Sequence, residues 1–201
     1  MKKLLFLLTF TLLAFCLQAQ DNDLLQRIKF AGNNVKSFET HLTNTTQSKS
    51  GKVKVDSGNL YFVSPNEFAA LFETGRHMIV NQNQIKMDIG LFHGTFKLKD
   101  GGTMRSLSNI FLYGFKGLCQ ELADENDYSI DIKTGQYHTV TFTNNKKRLL
   151  GIGFRQVIFN FNKNDLLIKE IILIDTRGSR DTYTISDTKY NVTVSQDKFK
   201  I

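Results

Sequence analysis

The side chains able to do covalent or proton-transfer chemistry are few in this chain and poorly grouped. His41, His77, His93 and His138 stand alone, with no HExxH, no HxH and no cysteine at metal-ligand spacing. Each reads as an ordinary strand or turn histidine. Asp124, Glu125 and Asp127, or Asp175 with Asp181, could supply paired carboxylates. Both sets fall at turn signals, where Asp and Asn are expected for backbone reasons. There is no GxSxG elbow, phosphate-binding Walker loop or dinucleotide-binding glycine pattern, and Gly151-Ile152-Gly153 is too short to count as one. Cys119 has no partner for an internal disulfide and reads as a packing residue. The expectation is a protein that is not an enzyme and uses neither metal nor cofactor. What the chain holds in quantity is apolar surface: seventeen Phe and six Tyr, with no Trp and one Pro. The chemistry to look for is apolar binding.

The elements that must position those side chains are mostly strands. Phe- and Tyr-rich runs with a single Pro leave ladders unbroken. The stretch Asp165 to Tyr190 organises the reading. Leu166–Ile174 and Arg180–Ile185 flank Asp175-Thr176-Arg177-Gly178-Ser179, and Gly178 supplies the positive φ that such a hairpin loop needs. Both parities of Leu166–Ile174 are mostly apolar. A sheet wet on one face would show a polar parity, so structure is expected on each side.

Along the chain, Leu24, Leu25, Ile28 and Ala31 recur at helical spacing within Asp21–Asn34. A period of two follows from Val35 to Leu42, and Thr43 to Gly51 reads as a loop or a fading edge strand. Asp56-Ser57-Gly58 reads as a turn between Val53–Val55 and Asn59–Val63. Further short strands are Asn66–Glu73, His77–Val80 and Gln84–Ile89. Between Gly94 and Leu122 the pattern breaks. Met104 to Phe115 places Met104, Leu107, Ile110, Phe111 and Phe115 near one helical stripe, which suits a helix buried on the sheet or a lid over a cavity. Strands resume at Tyr128–Lys133, Tyr137–Thr143 and Arg155–Phe161, with Lys146–Gly153 as a crossover or short turn of helix. Nine or ten antiparallel strands in sequence make a curled sheet whose concave face must be covered. The fold class is mainly β (α+β): an incomplete barrel stoppered by an N-terminal helix and a mid-chain helical lid.

Lys2 and Lys3 precede an apolar run from Leu4 to Leu17, too short to span a bilayer comfortably. Residues 1–19 read as a cleavable export signal, and 20–201 as one domain. Phe15 is the wrong size to precede a lipidated Cys16. The net charge of +7 falls to about +5 once Lys2 and Lys3 are removed. The basic residues are scattered and show no aromatic-basic signature, so no nucleic-acid partner is expected.

The order Gly58-Asn59-Leu60-Tyr61, Ser64-Pro65-Asn66-Glu67-Phe68, Asp175-Thr176-Arg177-Gly178, Asn191 and Phe199 resembles the LolA-type periplasmic carriers of outer-membrane lipoproteins, in a divergent, Bacteroidetes-like form. The resemblance covers most of residues 20–201. It implies an incomplete β-barrel with a helical lid, a periplasmic monomer, and lipoprotein acyl chains as cargo. An inner-membrane lipoprotein-releasing complex would be the donor and an outer-membrane protein the acceptor. Phe68, Phe72, Met78 and Val80 would line the cavity wall, and Leu107, Ile110, Phe111 and Phe115 the lid. The family's gating Arg, just before the strand Pro, is replaced here by Ser64. A carrier or sensor of another lipid, or a periplasmic lipid-ester hydrolase, would be the alternatives.

Overall fold

The computed structural model describes residues 21–89, 92–100, 102–145 and 153–201. The expected export signal, with Cys16, and most of the Lys146–Gly153 segment lie outside the described residues. Helix α1 spans residues 21–33. The first six strands are β1 (Ser37–Gln47), β2 (Val53–Val63), β3 (Glu67–Phe72), β4 (His77–Asn81), β5 (Gln84–Ile89) and β6 (Phe92–Lys97). Helices α2 (Thr103–Lys116) and α3 (Cys119–Asn126) follow. The last five strands are β7 (Tyr128–Thr134), β8 (His138–Asn144), β9 (Phe154–Phe161), β10 (Ile168–Asp175) and β11 (Arg180–Tyr190), before a 3₁₀ turn at Gln196–Phe199.

Among the described residues the eleven strands form one antiparallel sheet, ordered β6-β5-β4-β3-β2-β1-β11-β10-β9-β8-β7. Two meanders are joined by the pairing of β1 with β11, from Phe38 opposite Tyr190 to Gln47 opposite Arg180. This order dictates the lid. β6 and β7 are consecutive strands at opposite edges, so the chain between them must cross a face of the sheet. Eleven strands laid flat would be roughly 48 Å wide at about 4.8 Å per gap. Helices of 14 and 8 residues reach only about 33 Å end to end. The flanking linkers complete the crossing, and the sheet curls around α2 and α3 without closing.

Several expectations are corrected. Thr43–Gln47 is not a fading edge but the end of β1, held between β2 and β11 in mid-sheet. Asp56-Ser57-Gly58 is not a turn: β2 runs straight through it, in register with Leu42, Thr43 and Asn44. Gly58 is required there for a different reason, since a Cβ would stand 2.1 Å from Leu71 O on β3. Leu166 is not in a strand; it takes a positive φ of 59° in the turn, and β10 starts at Ile168. Asp124 and Glu125 lie on α3, not in a turn. β6 and α3 were not anticipated as elements.

The main core is concave-side and continuous, running from Leu25 and Ile28 of α1 across the sheet to Phe159, Ile171 and Leu173. A second, small cluster lies on the other face, where Tyr61, Ala69 and Ile79 are covered by Phe199 of the 3₁₀ turn. The two apolar parities of β10 are explained differently from the expectation. Ile168, Ile171 and Leu173 join the concave core, helped by a register shift between Ile168 and Glu170. Ile172 points the other way and belongs to neither cluster; its cross-strand partners are Ile158 and Thr182. On that face Glu170 is the centre of a polar ladder, accepting from Asn160 Nδ2 at 2.8 Å and from Thr184 Oγ1 at 3.4 Å.

Candidate functional site

The register brings the four wall residues to one face. Phe68 stands opposite Val80 and Ala70 opposite Met78 in the β3–β4 ladder, and Phe72 shares the parity of Phe68. All four are buried, as are Leu107, Ile110, Phe111 and Phe115, and all eight belong to the concave core. The contacts are direct. The Phe68 ring centroid lies 5.6 Å from that of Phe111 and 5.7 Å from that of Phe115. Phe115 is the hub: it also meets Phe38 at 5.2 Å and Phe62 at 5.5 Å, both edge-on or nearly so. Phe111 packs edge-on against Tyr183, 5.1 Å between centroids. Phe38, Phe62 and Tyr183 were missed as site residues; the signal was their parity in β1, β2 and β11, readable only once the register is known.

Small residues let the lid sit close. A Cβ on Gly114 would lie 3.1 Å from Ile171 Cδ1 and 3.3 Å from Phe159 Cζ. Gly117 ends α2 in the left-handed region, φ 66°, where its own N–H and that of Leu118 close the last turn onto Gly114 O and Tyr113 O. At the other end, Gly102 precedes α2 without a side-chain cap. The interior is packed. The apolar gap beside Phe38, Phe115 and Tyr190 holds about 10 Å³, room for about one water.

The polar ties of the helical layer are distributed differently from its apolar contacts. Tyr113 Oη donates to Glu125 Oε1 at 2.5 Å and Asn109 Nδ2 to Glu125 Oε2 at 3.1 Å, which joins α2 to α3. Burial, followed by the Glu125 carboxylate it donates to, pushes the Tyr113 phenol well above its ordinary range. Lys29 pairs with Glu121, joining α1 to α3. Arg105 ties α2 to the sheet side, donating from a terminal guanidinium nitrogen to Leu98 O at 2.9 Å, while its Nε is buried without a hydrogen-bond partner. Ser64, which precedes Pro65, donates its backbone N–H to Lys36 O at 2.8 Å. A polar cleft of about 510 Å³ opens beside the lid, lined by Asn66, Arg105, Asn109, Tyr113 and Glu125 among others.

The histidines and the Asp175 and Asp181 carboxylates make contacts outside this layer. His93 Nδ1 lies 2.7 Å from Asp88 Oδ1, His77 Nδ1 lies 3.1 Å from Gly75 O, and His138 Nδ1 lies 2.9 Å from Thr134 Oγ1. His41 sits in mid-sheet opposite Asn59 and Ser186. Burial, then the positive charges of Lys163 and Arg27, lowers the pKa of His138. Asp175 accepts from the N–H groups of Arg177 and Ser179, at 2.8 Å each, while Asp181 accepts from Thr46 Oγ1 at 2.5 Å. Burial pushes the Cys119 thiol far above its ordinary pKa, which makes it a poor nucleophile. Among the described residues no group of three His, Cys, Asp or Glu side chains could hold a metal ion.

Residues 33–201 match the family model described as outer membrane lipoprotein carrier protein LolA, and the chain belongs to that family. No curated protein sequence matches it. Similar solved structures include a LolA superfamily protein from Nitrosomonas europaea, at 8% identity over 90% of this chain and 97% of that one, with a TM-score of 0.43. A DUF1329 family protein from Desulfovibrio piger is 13% identical over 89% of this chain and 95% of that one, TM-score 0.47. The Pseudomonas aeruginosa MucA/MucB complex is 9% identical over 89% of this chain and 60% of the other, TM-score 0.46.

Proposed function

We propose that this chain is a periplasmic carrier. In this reading it shields the acyl chains of lipoproteins beneath α2 and delivers them from the inner to the outer membrane. Family membership supports the reading, and one structural observation carries it. The lid rests on the sheet through Leu107, Ile110, Phe111 and Phe115, while two of its side-chain hydrogen bonds run to Glu125 of α3 and those on the sheet side come from one residue, Arg105. Such a lid can lift with its helical neighbours and leave an apolar wall behind.

The magnitudes are compatible. Uncovering four buried apolar side chains costs about 8 kcal/mol, at roughly 2 kcal/mol each. An acyl chain of about 15 carbons, at ~0.8 kcal/mol per CH₂, regains about 12 kcal/mol by leaving water. Cargo can thus replace the lid as the partner of Phe68, Phe72, Met78 and Val80. The same cost explains the need for a carrier, since an exposed acyl chain would rarely cross water unaided. Phe and Met suit the task because a flexible chain needs apolar area without a strict shape. With Ser64 in place of the family's gating Arg, Arg105 and its bond to Leu98 O take the part of the lid's polar tie.

Depleting the protein from its own cells should strand lipoproteins at the inner membrane, as read by membrane fractionation. Unchanged sorting would sink the lipoprotein assignment. In that case a free lipid would be the expected cargo, on the same wall.

A further inference from the structure

The hairpin between β1 and β2 extends beyond the end of β3, while β1 stays paired with β11 as far as Gln47. β2 pairs with β3 from Gly58 onward, and Ser57 O still accepts from Glu73 N–H at 2.8 Å, so Val53–Val55 has one side of the ladder free. On this arm Val53 and Val55 are exposed by 56% and 58%. They share a face with Gln47 and Thr45 opposite, and through those with Arg180 and Thr182 of β11. Lys49, Lys52 and Lys54 are exposed on the same arm. The β10–β11 turn lies beside the arm's tip: Arg177 and Ser179 line one shallow depression with Ser48, Lys49 and Ser50. Five cations therefore flank two exposed valines at one end of the molecule: Arg180 shares the valines' face, Lys54 takes the opposite face by strand alternation, and Arg177 lies 3.5 Å from Asp175 in an exposed pair. Of the nearby acids, Asp181 is engaged by Thr46, Asp175 by the turn amides and Arg177, and Asp56 by Thr74 and Arg76, while Glu73, whose N–H donates to Ser57 O at 2.8 Å, is exposed.

Exposed β-branched residues at an unpaired strand edge would ordinarily invite pairing with another chain, and flanking lysines discourage it. The same lysines have flexible stems that reach around an apolar tip toward phosphate groups. A small apolar tip flanked by cations matches an anionic bilayer surface: valines enter the headgroup boundary while lysines meet the lipid phosphates. We propose that the Lys49–Val55 arm, with Arg177 and Arg180, is a docking surface for anionic phospholipid membranes. It contacts the bilayer reversibly, with two small side chains and no anchor. The proposal does not depend on what the lid covers.

Co-sedimentation of the purified protein with phosphatidylglycerol/phosphatidylcholine vesicles, against pure phosphatidylcholine vesicles, tests it at low salt. Binding to the anionic vesicles is expected, and it should fall steeply in about 0.5 M salt as the charges are screened. The triple variant K49E/K52E/K54E should lose at least about tenfold in partitioning. V53S/V55S should lose severalfold while keeping its salt dependence. A control, K133E/K163E/K189E, makes the same change in net charge at exposed lysines elsewhere and should keep most of the binding. Equal loss in the control and the arm variant would overturn the proposal, since net charge alone would then explain binding. So would absence of binding to anionic vesicles, including the case where the arm captures only acidic proteins.

Discussion

The two hydrophobic clusters of this protein are built on opposite faces of one sheet and held in opposite ways. On the convex face, Phe199 covers Tyr61, Ala69 and Ile79, and polar contacts fix it in place. Asn81 Nδ2 donates to Phe199 O at 3.0 Å, and the Lys198 ammonium sits 4.9 Å from the centroid of the Tyr61 ring. On the concave face a far larger apolar area lies under α2, yet among the described residues Arg105, through Leu98 O and Asn83 Oδ1, is the side chain that ties the lid to the sheet side. The small cluster is a clasp. The large one is a contact between two apolar surfaces, and such contacts are non-directional and exchangeable. An element that must move can be held by area but not by many specific bonds, and this asymmetry is what favours a carrier over a sealed core.

The comparison can be broken from either side. Phe115→Ala removes the hub ring of the lid and should lower stability by about 3–5 kcal/mol, read by chemical denaturation. It should also reduce retained cargo. Phe199→Ala empties the clasp and should cost about 3 kcal/mol, with cargo retention unchanged in the molecules that remain folded. Equal loss of cargo in the two variants would erase the distinction between the faces. Arg105→Ala should cost about 1.5 kcal/mol, as expected for a charge-assisted bond to a carbonyl. Its signature is local: amide exchange should accelerate in α2 and not at the C-terminal 3₁₀ turn.

The smallest expected effect concerns the β10–β11 turn, which belongs to neither cluster. Burial alone would raise the Asp175 pKa, but N–H donation from Ser179 and Arg177 outweighs it and holds the carboxyl below its ordinary range. A depressed folded-state pKa gives stability that is fully present above the unfolded value of about 3.9 and is lost as pH falls through the lower folded value. Asp175→Ala should therefore cost about 1 kcal/mol at neutral pH, and the gap to the unaltered protein should shrink below about pH 4. A pH-independent gap would show that the carboxylate charge is not what stabilises the turn.

How much of this was legible in the sequence depends on the kind of information each region needs. Helix α2 was, because Leu107, Ile110, Phe111 and Phe115 repeat at a helical period that survives without knowledge of neighbours. The wall was in part: the parity of Phe68 and Phe72 is local, but its meeting with Val80 and Met78 depends on the β3–β4 register. Phe38, Phe62 and Tyr183 were beyond reach, since their common face is decided by pairings between strands far apart in sequence. Asp56-Ser57-Gly58 misled because its residue types signal a turn wherever they occur. Here Gly58 serves the close approach of β3, and Asp56 is buried against Arg76 Nη1 at 3.1 Å and Thr74 Oγ1 at 2.6 Å. The basic arm escaped notice because its lysines alternate with Gly and Val and form no run. They become a patch only where the β10–β11 turn comes alongside.

The central claim is that the concave wall holds the acyl chains of lipoproteins. Native mass spectrometry of protein purified without detergent from its own envelope tests it most directly. The account predicts an added mass equal to that of an acylated lipoprotein, lost or much reduced in Phe115→Ala. An added mass of a free phospholipid, or a bare polypeptide from cells in which onward delivery is blocked, would contradict it.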